Sequence, residues 1–142
     1  MRLRMQGAIG VAAVMTAAIF VSGAGPAAGD PAVDCKNQGG TTYEMNVCAG
    51  RDFTAADTAL NALYKKLYAA YDADNKKRLQ EAQRAWLKLR DSECDYETAL
   101  TIGGTIHSTM VTNCDTELTL ERIKRLKAQL TCEEGDLSCN HP

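Results

Sequence analysis

Residues 79–94 read Leu79-Gln80-Glu81-Ala82-Gln83-Arg84-Ala85-Trp86-Leu87-Lys88-Leu89-Arg90-Asp91-Ser92-Glu93-Cys94. Apolar residues recur here in steps of three and four, at Leu79, Ala82, Trp86 and Leu89, which is the period of one helical face. Neither Gly nor Pro interrupts the stretch. It predicts the middle of a helix running from about Lys76 to Ala99, with those four residues as its buried stripe. Glu93 falls one step further along the same face. A carboxylate placed there needs a partner, from Arg90 or from another helix.

The same period appears on both sides. Upstream, Thr41-Thr42-Tyr43-Glu44 is a capping-box pattern in which the Thr41 hydroxyl and the Glu44 carboxylate satisfy each other's backbone amides. A stripe follows at Met45, Cys48, Ala49, Phe53, Ala56, Leu60, Leu63, Tyr64, Leu67 and Tyr71. Gly50 is expected to loosen this first helix near its start. Asp72-Ala73-Asp74-Asn75 supplies a turn with its own N-cap candidates. Downstream, Thr101-Ile102-Gly103-Gly104-Thr105-Ile106-His107 ends the second helix at paired glycines. A third helix is expected from Ser108 or Thr109 to Leu130. Its apolar side is Val111, Cys114, Leu118, Ile123, Leu126 and Leu130, and Lys124, Arg125 and Lys127 suit its C-terminal dipole. No stretch alternates as a strand. The fold class is all-α, a small antiparallel three-helix bundle with short connections.

Before these helices lies a leader. Arg2 and Arg4 precede an uncharged apolar run from Gly7 to Val21, and small residues with Pro26 follow. This is the pattern of a secretory signal peptide over residues 1–29, with cleavage after Ala24 or Gly29. The run falls short of the roughly 20 residues a membrane span requires. Cys35 follows Asp34 rather than a small residue, so no lipid attachment is expected. The remaining residues 30–142 form one domain with a net charge of −4. That acidic balance gives no footprint for nucleic acid and favours a basic protein partner through steering. The expected compartment is periplasmic or extracellular, and the expected state a monomer.

Six cysteines follow the leader: Cys35, Cys48, Cys94, Cys114, Cys132 and Cys139. An even number in a short exported domain points to oxidised pairs, but six cysteines allow 15 pairings. Helices running up, down and up place Cys48, Cys94 and Cys114 near one end, with Cys35 beside them, and Cys132 and Cys139 at the other. Bridged Cα atoms must lie within about 7 Å. Cys132–Cys139 therefore pair in the tail. Cys94 and Cys114 sit at matching levels about the Gly103-Gly104 loop, which leaves Cys35–Cys48. A loop of that last size contributes about 3 kcal/mol by the chain-entropy argument. Zinc ligands usually come as Cys pairs two to four residues apart, and no such pair exists here. Cys132, Cys139 and His141 form the nearest alternative ligand set, and a disulfide is preferred to it.

Catalytic patterns are missing from the sequence. His107 and His141 are the two histidines, and neither belongs to a recognisable triad or nucleophile elbow. No cofactor, metal or enzymatic role is expected. Asp57, Asn61, Gln83, Arg90, Asp91 and Arg122 fall close to the expected interior. They are read as a charge and hydrogen-bond network that fixes helix register. Trp86 is read as core, and Lys76-Lys77-Arg78 as a solvated helix start.

Taken in order, these motifs resemble a known family. Cys35, Thr42-x-Glu44-Met45-Asn46-x-Cys48-Ala49 and Asp57-x-x-Leu60-Asn61-x-x-Tyr64 open the match. Leu79-x-x-Ala82-Gln83-Arg84-Ala85-Trp86-Leu87 and Arg90-Asp91-x-x-Cys94 are its most specific part. Gly103-Gly104-Thr105-Ile106, Cys114, Leu118-Thr119, Arg122 and Leu126 continue it. Together they resemble the LprI-type lysozyme inhibitor domain over about residues 35–130, with residues 131–142 as a clasped tail outside the match. The resemblance implies an exported protein that inhibits lysozyme, and the expected mode is stoichiometric binding that occludes the substrate cleft. The alternative is an envelope adaptor module without that activity. The residues expected to touch the partner are Thr105, Ile106, His107 and Ser108, in a loop pre-organised by Cys94–Cys114.

Overall fold

The computed structural model describes residues 33–36, 40–133, 135–137, 139 and 140. The leader expected at 1–29 and His141 lie outside the described residues. Three helices follow one another: α1 (Thr42–Ala70), α2 (Ala73–Glu97) and α3 (His107–Ala128). A short 3-10 turn, Ala99–Thr101, sits between α2 and α3. The described residues contain no strand.

Local chemistry sets the boundaries. Thr41 Oγ1 accepts from the Glu44 amide at 3.3 Å, and Glu44 Oε2 accepts from the Thr41 amide at 2.7 Å, closing the capping box that starts α1. The helix runs unbroken through Gly50, whose carbonyl also accepts the Thr54 hydroxyl at 2.7 Å. It stops because Tyr71 turns extended. Asp72 then caps α2 by accepting from the Asn75 amide at 2.8 Å. The second helix therefore starts at Ala73, three residues earlier than the sequence suggests. Lys76-Lys77-Arg78 consequently lies beyond the most electropositive first turn, and the Lys76 ammonium rests 5.6 Å from the Tyr68 ring centroid.

α3 packs most closely on α1 and less closely on α2. The main apolar cluster joins Leu60, Leu67 and Tyr71 of the α1 side to Leu79, Ile123 and Leu126, with Leu63, Tyr64, Trp86 and Leu130 against it. Each fully buried side chain of this size stabilises the fold by about 1.5–3 kcal/mol. All of these residues but Trp86, which sits at mid-height of α2, lie in the half of the bundle nearest the α1–α2 turn. Towards the other end the buried residues are Ala49, Ala56, Cys94, Thr98, Thr109, Cys114 and Thr119, which are small or polar.

The stripe expected on α2 needs correction. Leu79 is buried and Trp86 half-buried, but Ala82 is exposed and Leu89 is 60% exposed. The face turned inward is Leu79, Gln83, Trp86, Arg90 and Cys94. Both i+3 and i+4 neighbours share a helical face, and here the i+4 positions win. Cys94 must reach Cys114, and Gln83 and Arg90 bond to α3, so the helix is rotated about its axis. Glu93 is exposed on the outside and requires no buried partner.

The three disulfides join Cys35 to Cys48, Cys94 to Cys114 and Cys132 to Cys139, with Cα separations of 5.4, 5.6 and 5.8 Å. The pairing is the one that the up-down-up layout predicts. The first two lie at the loop end of the bundle. The third folds the tail back at the turn end, where the Asn140 amide donates to Gln129 Oε1 at 2.9 Å and its side chain donates to Asn75 Oδ1 at 3.2 Å. No described helix is long and apolar enough to cross a membrane.

Candidate binding surface

The connection between α2 and α3 is short, cross-linked and uncharged from Thr98 to Ile106. Cys94–Cys114 ties the helices on either side of it. Within it, the Thr98 hydroxyl donates to the Cys94 carbonyl at 2.7 Å, and the Thr101 hydroxyl donates to the Thr98 carbonyl at 2.6 Å. Backbone bonds from Thr101 to Thr98, from Ile102 to Ala99 and from Gly104 to Thr101 close successive turns. Gly103 adopts φ +82°, a left-handed conformation that side chains disfavour, and this is why the turn needs glycine there.

His107 Nδ1 lies 2.8 Å from Thr101 Oγ1. The single hydroxyl hydrogen of Thr101 is already committed to the Thr98 carbonyl, which can only accept. The His107 ring must therefore present Nδ1–H to the Thr101 oxygen. The start of α3 is fastened to α1 by Asn46, whose Oδ1 accepts from the Ser108 hydroxyl at 2.7 Å and from the Thr109 hydroxyl at 2.6 Å. These contacts settle where the four expected contact residues stand. Thr105 is exposed, and Ile106 and His107 are half-buried. Ser108 is exposed, with its hydroxyl turned to Asn46.

Three neighbours missed by the sequence reading stand out instead. Tyr96 is 79% exposed, Ile102 70%, and Leu100 101%, as open as in an extended chain. The signal was present in the sequence. Leu100 and Ile102 stand in a Thr- and Gly-rich connection where no helical face is available to bury them.

The polar residues expected near the interior divide into two sets. Arg90, Gln83 and Arg122 form a seam with Trp86. Arg90 donates to Asp91 Oδ1 through Nε at 3.1 Å and through a terminal nitrogen at 2.8 Å. Its other terminal nitrogen lies 3.5 Å from Thr119 Oγ1. Its guanidinium lies 5.5 Å from the Phe53 ring centroid and 5.4 Å from that of Trp86, so one side chain links all three helices. Arg122 donates to Gln83 Oε1 at 3.2 Å and lies 5.8 Å from the Trp86 centroid. Asn61 and Asp57, in contrast, bond to each other along α1 at 2.8 Å and do not reach the seam. Asp115 joins it unforeseen. Its Oδ1 is 3.3 Å from Arg90 Nε, an ion pair whose alignment falls short of a hydrogen bond. Burial raises the Asp115 carboxyl above its ordinary value; Arg90 opposes this, and Asp91 and Asp95 add to it. The groups of the seam face one another across the helices.

All six cysteines are in disulfides, and the described residues hold no cluster of three His, Cys, Asp or Glu side chains able to bind a metal ion. A cleft of about 350 Å³ lies beside Cys35–Cys48, lined in part by Glu44, Asp52, Thr109 and Asn113. Glu44 there is already committed to the capping box.

Comparison with known proteins gives this geometry a context. An uncharacterised protein of Rhizobium meliloti (strain 1021) is 31% identical over 118 residues, covering 74% of this chain and 84% of the relative. No solved structure matches the chain. The profile of the family described as lysozyme inhibitor LprI matches residues 34–126. That span contains all three helices but for the last two residues of α3, the Arg90 seam and two of the three disulfides. On that match, the chain belongs to the lysozyme inhibitor LprI family.

Proposed function

We propose that this protein is an exported inhibitor that binds a lysozyme stoichiometrically and occludes its substrate cleft. The observation that carries the reading is the family match over residues 34–126. Three disulfides support an oxidising compartment. In this reading residues 1–29 are removed on export and residues 30–142 act as a monomeric domain. Partner contact lies at the α2–α3 connection, with Thr105, Ile106, His107 and Ser108 at the interface. The connection is held by a disulfide and internal hydrogen bonds, so little freedom is lost when it docks.

The test is a cell-lysis assay with purified, oxidised protein against c-type, g-type and i-type lysozymes. The expected result is inhibition of at least one type, with a titration that breaks near one inhibitor per enzyme. An adaptor role in the envelope is the second reading, and exposed Leu89 and Leu120, which lie away from the connection, favour it. Absence of both inhibition and binding for all three types at micromolar concentration would overturn the first reading and favour the second.

A further inference from the structure

We propose that Leu100 and Ile102 are the anchors of the inhibitory contact, entering the cleft of a basic lysozyme while the carboxylates of Glu93, Asp95 and Glu97 steer the encounter. This inference rests on the inhibitor reading and gives it a surface. Single exposed leucines are ordinary on protein surfaces. Here, however, Tyr96, Leu100 and Ile102 are all open within seven residues at one end of the bundle. The segment carrying them is not loose. It is bounded by Cys94–Cys114 and closed by the Thr98, Thr101 and His107 hydrogen bonds. A convex, rigid apolar tip of this kind fits a concave site, because large side chains held in place concentrate binding energy at few positions.

Charge selects the partner. No charged residue occurs between Thr98 and Ile106. The tip can therefore approach a cleft that carries catalytic carboxylates without like-charge repulsion. Behind it, Asp91, Glu93, Asp95 and Glu97 are exposed along the last turns of α2. The nearby cation Arg90 is already paired with Asp91. The opposite end of the bundle carries Lys76, Lys77, Arg78, Lys124, Arg125 and Lys127 together with Asp72, Asp74, Glu81, Glu121 and Glu133, so its charges largely offset one another and the unopposed carboxylates are those behind the tip. The molecule is thus polarised along its length, and a basic protein is drawn to the end that presents Leu100 and Ile102. Thr105 and Ser108 then form the rim of the contact, beside the half-buried Ile106 and His107.

The experiment compares the wild-type protein with the double variant Leu100→Asp/Ile102→Asp, using a lysozyme that the wild type inhibits. Retained helical circular dichroism and mapped disulfides show that the variant folds. A Leu100→Ser/Ile102→Ser pair serves in its place if aspartate disturbs either. The inhibition constant is expected to rise about 30-fold or more. Leu137→Asp, equally exposed in the tail, is expected to leave it unchanged. Glu93→Gln/Asp95→Asn is expected to slow association about 3- to 10-fold at low salt, with dissociation unaltered. An unchanged inhibition constant in the folded Leu100/Ile102 variant overturns the inference and leaves the inhibitor reading intact. Failure of the wild type against every lysozyme type removes that reading, and the inference with it, before any variant is compared. A wild-type dimer in sedimentation that the variant abolishes would assign the tip to a second copy of this chain, and would also overturn it.

Discussion

The two ends of this bundle are built on different principles. Near the α1–α2 turn, Leu60, Leu67, Tyr71, Leu79, Ile123 and Leu126 pack as an apolar core. Near the α2–α3 connection, buried positions are held by Ala, Thr and Cys, and two disulfides replace apolar burial, while the Arg90 seam crosses the middle of the bundle. A domain of this size has little apolar surface to bury, so concentrating it at one end leaves the other short of packing. Cross-links at the second end keep it rigid without consuming the side chains that face solvent. The difference teaches that the apolar core sits at one end, while the other is held by cross-links and leaves Leu100 and Ile102 open to solvent.

The sharpest way to break that division is to cut the core. Leu67 is fully buried, and Leu67→Ala is expected to lower unfolding free energy by about 2–5 kcal/mol in urea denaturation. At temperatures where the variant remains folded, its inhibition constant is expected to match the wild type. A large change in that constant would mean that the two ends are coupled.

Removing Cys94–Cys114 by a double Cys→Ala change comes next. The loop of separation 20 is expected to contribute about 3 kcal/mol, read from denaturation midpoints with the other two bridges intact. Unlike the core variant, it is also expected to weaken inhibition, because the connection loses its tether. Hydrogen exchange should show lost protection at Thr101 and Gly104 while Leu60 to Leu67 stay protected.

Cys132→Ser/Cys139→Ser should cost less, about 2 kcal/mol by the same loop-length relation for a separation of 7. That bridge closes a short tail beyond residues 34–126, so protection across the three helices is expected to be unchanged.

The smallest effect is expected at Asp115. Its carboxyl is raised by burial, so the folded state holds the proton more tightly than the unfolded chain does. Stability should therefore fall as pH rises from the unfolded value, about 3.8, through the raised folded value, and the penalty is complete above it. Asp115→Asn removes this dependence. The difference in unfolding free energy, variant minus wild type, is expected to grow in the variant's favour across that window. A constant difference would show that Asp115 does not titrate differently on folding.

Much of this was legible in the residues. The capping box at Thr41–Glu44, the Asp72 turn and the glycine pair at 103–104 mark the helix ends because each depends on local backbone chemistry. The disulfide partners followed from helix lengths, since chain direction places the cysteines at two ends. Helix rotation was not legible. Leu89 and Arg90 are adjacent, both lie near the Trp86 face, and hydrophobicity alone favours burying the leucine. The structure buries the arginine, because Phe53, Trp86, Thr119 and Asp115, drawn from three helices, supply partners that no single segment reveals. Asp115 was overlooked for the same reason.

The contact surface divides in the same way. Loop position and a flanking disulfide pointed to Thr105–Ser108, and that part of the argument needed only sequence. Which side chains project outward required the fold. Asn46, 62 residues from Ser108, turns one hydroxyl inward, and Thr101 draws in the His107 ring. Leu100 and Ile102 remain uncovered. Sequence by itself determined the three helices and their order, because periodicity, caps and chain direction act over short distances, and their layout favoured the cysteine pairing that the fold then fixed. Tertiary structure alone decided the rotation of α2, the Arg90 seam and the exposed tip, because each depends on groups from different helices meeting.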